Sequence, residues 1–195
     1  MQIRPVTLTG QHIRLDPLSL DHLDALTGVG LDRELWRWTV SEVCSREQMR
    51  EYIESALLLQ KEGSGLPFAT VDQAAGRVVG STRYMNIDRP NRHVEIGATW
   101  VAPPWQRTPV NTEAKYLMLR HAFEKLGCIR VELKTDSRNE RSRAAILRIG
   151  AREEGIFRNH MICWGGRIRH SAWYSIIDSE WPGVKTRLEE RLGLR

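Results

Sequence analysis

The residues with the clearest chemical potential lie in one segment, VEIGATWVAPPWQRTPVNTE, which spans residues 94–113. Its pattern is that of a strand that runs through a short loop into the first turn of a helix. Unpaired backbone N–H groups and the helix dipole make such a junction a binding site for anions. Arg107 adds a full positive charge at the same point. The segment therefore predicts a site for a ligand that carries a pyrophosphate.

Glu95 is the acidic residue of the strand part of this segment. Side chains alternate along a strand, so the sequence predicts that Glu95 shares a face with His93, Gly97 and Thr99. The opposite and more apolar face would hold Val94, Ile96, Ala98 and Trp100. A carboxylate beside Gly97, which leaves room for an amine or a water, is suited to act as a general base. The alternative is a solvated carboxylate paired with one of the many arginines.

The elements that must position these residues form a mixed α/β (α+β) arrangement. Apolar alternation between turn residues predicts strands at 12–18, 67–72, 77–87, 92–101, 129–135, 153–164 and 168–177. Cap residues and helical periodicity predict helices from Ser19 or Asp21, at 46–61, from Asn111 or Thr112 to Gly127, at 139–149 and at 182–192. A helical crossover makes the strands 92–101 and 129–135 a parallel pair in a mostly antiparallel sheet.

Three sequence features occur together and in order. The first is QRTPVN at residues 106–111, the second is TDSRNERS at 135–142 followed by GA at 150–151, and the third is the element order over about residues 11–177. Together they resemble the Gcn5-related N-acetyltransferase (GNAT) superfamily, and within it the RimJ/RimL type of ribosomal-protein N-terminal acetyltransferases. The first feature matches that family's acetyl-CoA pyrophosphate loop, usually Gln/Arg-x-x-Gly-x-Gly/Ala, and the second matches its second cofactor motif.

The resemblance implies a GNAT acyltransferase fold, in which the two central parallel strands splay apart and helices flank the sheet. It also implies one acetyltransferase domain over residues 1–178, with residues 179–195 forming a C-terminal helix of the same domain.

Acetyl-CoA is the co-substrate that the resemblance implies. Its pyrophosphate would be held by the loop and the helix start, at Gln106, Arg107, Thr108, Val110, Asn111 and Thr112. Trp100 and Val101 would offer backbone groups to the pantetheine arm and to the thioester carbonyl. Asn139 would reach the pantetheine, cap its own helix, or do both. Pro109 replaces the usual glycine and removes one backbone donor.

The resemblance further implies direct acetyl transfer to a primary amine. Glu95 matches the general-base position and would deprotonate the amine through a water. Many relatives place a tyrosine where this chain has Ile146, so Ser142 is the candidate that assists the departing thiolate. Ser142 shares one face of the predicted helix with Ala145, Ile146 and Ile149, and this face is expected to point toward the sheet. The alternative for Ser142 is a small residue chosen for close packing.

A protein N-terminus or a small-molecule amine is the favoured acceptor. An α-amino group, with a pKa of about 7.7–8.0, loses its proton more easily than a lysine at about 10.4. The alternative is a non-catalytic module on the same fold that binds RNA, the ribosome or acyl-CoA. Its cations should cluster on one face. The only dense group here lies beside the proposed CoA site, which disfavours a nucleic-acid partner; it comprises Arg138, Arg141, Arg143 and Arg148.

Composition excludes several other classes. Hydrophobic residues at 41% and charged residues at 27% indicate a globular chain, and 24 of the 29 cations behind its net charge of +5 are arginines. Three cysteines without a CxxC pair, and six histidines without ligand spacing, predict neither a disulfide framework nor a metal site. No apolar stretch approaches the roughly 20 residues of a membrane span. We expect a cytoplasmic protein without a membrane partner. The oligomeric state stays open, although the terminal strands and the C-terminal helix offer surfaces for a homodimer.

Overall fold

The computed structural model describes residues 1–194, so Arg195 of the predicted C-terminal segment lies outside the described residues. Its strands are β1 (Leu8–Thr9), β2 (Ile13–Pro17), β3 (Leu66–Asp72), β4 (Arg77–Asp88), β5 (His93–Val101), β6 (Arg130–Asp136), β7 (Arg152–Ile162) and β8 (Ile168–Ile177). Its α-helices are α1 (Leu23–Gly30), α2 (Arg33–Trp36), α3 (Arg46–Lys61), α4 (Pro109–Glu124), α5 (Glu140–Arg148) and α6 (Trp181–Leu192). Short 3₁₀ turns lie at Leu20–His22, Pro103–Trp105 and Trp164–Gly166.

The eight strands form one mixed sheet in the order β1-β2-β3-β4-β5-β6-β8-β7. Every neighbouring pair is antiparallel except β5 and β6, which run parallel and are joined through α4. This confirms the predicted α/β class and the parallel central pair.

Two apolar clusters cover opposite faces of the sheet. The larger one joins the sheet to α4 and α6 and includes Tyr84, Ile96, Met118 and Trp181. The smaller one lies under α1, α2 and α3 and contains Trp36, Ile53 and Trp100. Over β6 and β8, the second face carries mostly charged and polar side chains instead.

Glu113 of α4 ties the start of the chain to the core. Its fully buried carboxylate accepts hydrogen bonds from the backbone N–H groups of Gln11, His12 and Ile13, all at 2.7 Å. Gly10 is required for this approach, because a Cβ there would lie 2.4 Å from the Glu113 carboxyl carbon. The contact fixes β2 against the first turns of α4, next to the predicted pyrophosphate loop.

The structure corrects the predicted bounds of α4. We expected the helix to begin at Asn111 or Thr112, but Thr108 is the N-cap and Pro109 is the first helical residue. Proline suits that position because the N–H that it lacks would have no partner within the helix. The helix also ends at Glu124 rather than at Gly127, whose φ of +68° turns the chain toward β6. The two-residue strand β1 and the single turn α2 were not predicted.

Candidate functional site

The central parallel pair separates in the middle of the sheet. β5 and β6 pair only over His93, Val94 and Glu95, opposite Arg130, Val131 and Glu132. β5 then continues to Val101, paired on its other side with β4, while β6 continues to Asp136, paired with β8. A gap therefore opens between the two strands, and Glu95 is the last paired residue of β5 at its closed end.

A β-bulge at Ala98 reorganises the second half of β5. Ala98 has a φ of +46°, and two residues of β5, Ala98 and Thr99, oppose the single residue Thr82 of β4. The predicted strict alternation is therefore wrong beyond Gly97. Thr99 turns toward α4, where it bonds Thr82 and Lys115, whereas Trp100 packs against α1–α3. A bulge re-aims the side chains that follow it.

The bulge leaves the backbone of Val101 directed into the gap. Ala102 donates its N–H to Val79 of β4 at 2.8 Å. Hydrogen-bonded and non-bonded pairs alternate in an antiparallel ladder, so Val101 turns its N–H and C=O away from β4. Its C=O accepts a hydrogen bond from Nε2 of Gln106 at 2.7 Å, and Oε1 of Gln106 accepts one from Arg141 of α5. The Val101 N–H is thus a backbone donor facing the open side of β5.

The loop after β5 presents the N-terminus of α4 to the same region. The Thr108 hydroxyl donates to the Trp105 carbonyl at 2.6 Å and accepts from the Val110 N–H at 3.4 Å. The helix start at Pro109 leaves the N–H groups of Val110 and Asn111 outside the intrahelical ladder. By the same geometry, the Thr112 N–H makes the first intrahelical bond. The Thr112 side chain is buried. Arg107 is exposed and has a φ of +63°, a conformation that disfavours residues with a Cβ.

Asn111 carries a buried polar atom that fits an amide-bearing ligand. Its Oδ1 has no hydrogen-bond partner within residues 1–194, and neither has Nε1 of Trp100. Buried polar atoms without partners are rare in folded proteins. The pantetheine arm of acetyl-CoA contains amide N–H and C=O groups, which are the donors and acceptors that such atoms lack. The residues present at the gap therefore fit acetyl-CoA.

The two predicted site residues at the start of α5, Asn139 and Ser142, differ in their contacts within the protein. Asn139 is the N-cap of α5 and accepts the Ser142 N–H at 3.1 Å, so its capping role is confirmed. Ser142, Ala145, Ile146 and Ile149 form the inward stripe, as predicted from their spacing. Ser142 remains partly exposed, and its hydroxyl makes no hydrogen bond among the described residues.

The arginine group at α5 lies beside the predicted CoA site, but two of its members have partners within the protein. Arg138 lies 3.6 Å from Asp136, and its guanidinium stacks on Trp38. Arg143 bonds Glu153 and the Tyr174 hydroxyl. Of this group, Arg141 contacts the candidate loop, through Gln106.

Glu95 is 1% exposed, which rules out the solvated carboxylate considered above. Its Oε2 accepts hydrogen bonds from Lys134 Nζ and Asn86 Nδ2, both at 2.7 Å. The partner is thus a lysine and not one of the arginines. A Cβ at Gly97 would lie 3.1 Å from Glu95 Oε1 and 2.7 Å from the Met85 sulfur. The carboxylate and Met85 therefore occupy the space that Gly97 leaves.

Polar and aromatic side chains lie beyond Glu95 on the same face of the sheet. Lys134 Nζ lies 4.7 Å above the Trp173 ring, which stacks on Phe157. His160 contacts both rings and hydrogen-bonds Ser171. Burial, with help from the Lys134 charge, lowers the pKa of His160. The imidazole is therefore held toward its neutral form.

Lys115 of α4 was missed by the sequence analysis. It is 6% exposed, and its ammonium contacts the hydroxyls of Thr99 at 2.5 Å and Thr82 at 3.5 Å. Among residues 1–194, no carboxylate lies within ion-pair distance of it. Burial lowers the pKa of Lys115 to about 7. No periodic pattern in the sequence indicates that Lys115 is buried, because α4 is buried on nearly every side.

Residues 1–194 contain neither a metal-binding cluster nor a helix that could span a membrane. No group of three or more histidine, cysteine or acidic side chains could hold a metal ion. No helix has the length and apolar character needed to cross a membrane.

Comparisons with known proteins agree with the fold and the motif order. Residues 12–152 match the sequence family described as "Acetyltransferase (GNAT) domain". YdaF of Bacillus subtilis strain 168, named "Putative ribosomal N-acetyltransferase", is 34% identical over 110 residues, which cover 56% of this chain and 59% of the relative.

Solved structures extend the similarity to almost the whole chain. A GCN5-related N-acetyltransferase from Brucella melitensis is 34% identical, with a TM-score of 0.89 over 96% of this chain and 86% of that one. RimJ of Mycobacterium smegmatis, solved in complex with CoA-disulfide, has a TM-score of 0.84 over 96% and 95% of the two chains. At 22% identity, that match establishes the fold alone.

Proposed function

Because the chain belongs to the GNAT acetyltransferase family, we propose that it transfers an acetyl group from acetyl-CoA to a primary amine by direct attack. The acceptor is the α-amino group of a protein or a small-molecule amine. The name of YdaF, "Putative ribosomal N-acetyltransferase", supports a ribosomal-protein type of acceptor. The lower pKa of an α-amino group than of a lysine side chain supports the same choice.

One observation carries this proposal: the gap between β5 and β6 has a buried carboxylate, Glu95, at its closed end and a backbone donor, the Val101 N–H, along its side. A base and an oxyanion donor on one strand are what an amine attack on a thioester requires. The residues that the resemblance assigns to cofactor binding belong to the end of β5, the loop that follows it and the starts of α4 and α5.

In this mechanism, Glu95 takes a proton from the attacking amine through a water, while Lys134 and Asn86 hold the carboxylate in place. The Val101 N–H stabilises the negative charge that develops on the carbonyl oxygen, a contribution of about 3–4 kcal/mol in comparable sites. As the carbon–sulfur bond breaks, the Ser142 hydroxyl hydrogen-bonds the departing sulfur or relays a proton to it. Acetyl-CoA supplies the activated acetyl group.

Replacing Arg107 with glycine should weaken acetyl-CoA binding without unfolding the protein. The change removes a cation next to the N-terminus of α4, and we expect Kd to rise about 5–10-fold at low salt. Glycine also relieves the left-handed backbone at this position, so thermal stability should stay constant or rise. Calorimetric titration with acetyl-CoA, together with thermal unfolding, measures both effects.

Arg92→Gly is the matched control. Arg92 is also exposed, also has a positive φ of +54°, and lies in the β4–β5 turn away from the loop. It should leave the acetyl-CoA Kd unchanged. Equal weakening by both variants would show that net charge, rather than Arg107, controls binding.

The proposed activity is tested by incubating the protein with acetyl-CoA and a panel of amines. The panel contains peptides with free N-termini, N-blocked lysine peptides and small amines, and CoA release is the readout. We expect CoA release with peptides that carry a free α-amino group. If acetyl-CoA does not bind, and no amine releases CoA, the proposal fails. RNA binding that falls steeply with salt would then favour the non-catalytic alternative.

A further inference from the structure

Two arginines next to Glu95 are buried without an acidic partner. Arg83 of β4 and Arg169 of β8 are each 6% exposed. Neither forms an ion pair with a described carboxylate, whereas Arg130, Arg138, Arg143 and Arg167, on nearby elements, each do so. Burying a guanidinium without a counter-charge is costly, so such residues usually mark a place where an anion binds.

Arg83 lies on the Glu95 side of the sheet. In the β4–β5 pairing, Arg83 is opposite Gly97 and Met85 is opposite Glu95. Arg83 is therefore a diagonal neighbour of Glu95, and such neighbours lie about 7–8 Å apart. Its guanidinium stacks 4.8 Å from the Tyr52 ring of α3, and its buried Nε has no hydrogen-bond partner among the described residues. Gly97 has no side chain, and the space opposite Arg83 is occupied by Met85 and by the Glu95 carboxylate.

Arg169 lies on the same face of the sheet as Glu95, on the other side of the gap. β8 presents Arg169, Ser171 and Trp173 on one face, and Trp173 is paired with Lys134, which bonds Glu95. Nε of Arg169 donates to the Ser171 hydroxyl at 3.0 Å, and its two terminal nitrogens make no hydrogen bond to the described chain. Burial lowers the pKa of Arg169, although the nearby charges of Asp136 and Glu95 act in the opposite direction.

The local charge balance favours an anionic ligand. Glu95 is already neutralised by Lys134, and Asp136 is neutralised by Arg138 and Arg167. Because two arginines face the single Asp136 carboxylate, and Arg83 and Arg169 have no acidic partner, three positive charges are in excess around the carboxylate that would receive the acceptor amine.

We propose that Arg83 and Arg169 bind a carboxylate carried by the acceptor, so that the preferred substrate is an amine with an acidic group a few bonds away. This inference rests on the proposed function, because it assigns Glu95 to the acceptor amine. The carboxylate belongs either to a free amino acid or to an acidic side chain close to a peptide N-terminus. Guanidinium groups suit both, because their paired N–H groups match the two oxygens of a carboxylate.

The experiment compares acceptors that differ only in this carboxylate. The peptide arm uses Ala-Asp-Ala and Ala-Asn-Ala, both C-terminally amidated, and the amino-acid arm uses alanine and alaninamide. We expect the carboxylate-bearing member of at least one pair to have a kcat/KM roughly 10–100-fold higher. In the second pair, the amide has the less basic amine, so greater ease of deprotonation cannot explain a preference for alanine. The arm that shows the preference identifies the source of the carboxylate.

Variants assign the preference to the two arginines. Arg83→Gln and Arg169→Gln should each bring the two members of a pair close to parity, mainly through a higher KM for the carboxylate-bearing member. Arg77→Gln, which removes an exposed cation at the start of β4, is the matched control and should retain the wild-type preference. Thermal unfolding and acetyl-CoA binding confirm that each variant is folded.

The outcomes separate this inference from the proposed function. CoA release with equal efficiency for carboxylate and amide acceptors would overturn the inference and leave acetyl transfer intact. A wild-type preference that survives both arginine changes would also overturn it. Absence of CoA release with every amine would instead overturn the proposed function. If an arginine variant does not fold, the wild-type comparison still decides whether the acceptor carboxylate is recognised.

Discussion

Replacing Glu95 with glutamine is expected to lower kcat for acetyl transfer by about 10²–10⁴-fold, the range typical for loss of a general base. The amide has nearly the same shape as the carboxylate but cannot take a proton from the amine. Acetyl-CoA binding should persist, because the pyrophosphate loop and the N-terminus of α4 lie elsewhere on the gap. Steady-state kinetics with a peptide acceptor, and calorimetric titration with acetyl-CoA, separate the two effects.

Glu132→Gln is the matched control for this change. Glu132 lies directly opposite Glu95 in the parallel pair, with a side chain 17% exposed, but it is bonded to Arg130 and not to Lys134. We expect this variant to retain wild-type kcat. If Glu95→Gln retains most of its activity, or if Glu132→Gln loses as much, Glu95 is not the base. The site would then have to be assigned to another group.

The local signals of the sequence were sufficient for most of the fold. Helix α3 begins and ends as predicted, because Ser45 caps it by accepting the Gln48 N–H and the glycines after Lys61 stop it. The strands of the central sheet were found because alternation and turn residues are encoded within a few neighbouring positions. Strand β1 has only two residues, which is too short for a period to be visible.

The sequence did not predict the detailed geometry of the site, because that geometry depends on features that leave no pattern in neighbouring residues. The bulge at Ala98 uses a left-handed conformation at a residue type that rarely adopts it, so the sequence predicted continued alternation. Thr99 and Trp100 were consequently assigned to the wrong faces. Arg83, Lys115 and Arg169 were also missed, because a charged residue in a strand or helix is normally solvated. Only the packing of distant elements shows that these three are buried.

Lys115 is expected to make the stability of the protein depend on pH. In the unfolded chain its pKa is near 10.5, and burial lowers it to about 7 in the folded protein. Below pH 7 both states hold the proton, and the full cost of burying the ammonium reduces the free energy of unfolding. As the pH rises from about 7 to 10.5, the folded state loses the proton first. The unfolded state then binds more protons, so stability increases with pH across this window.

Lys115→Met should therefore stabilise the protein at neutral pH. At pH 7 the lowered pKa corresponds to a destabilisation of roughly 4–5 kcal/mol, which the substitution removes. Losing the contacts to Thr82 and Thr99 costs about 1–2 kcal/mol of stability. The net gain of about 2–3 kcal/mol should raise Tm by roughly 5–10 °C for a chain of this size. Thermal unfolding between pH 6 and 9 measures both the gain in Tm and its decline as the pH rises.

Lys125→Met is the control, because Lys125 lies at the exposed C-terminal end of α4. It should neither raise Tm nor change the dependence of Tm on pH. A lower Tm for Lys115→Met at pH 7 would mean that the ammonium is stabilised by its hydroxyl partners, and that the buried charge is not a cost to the fold.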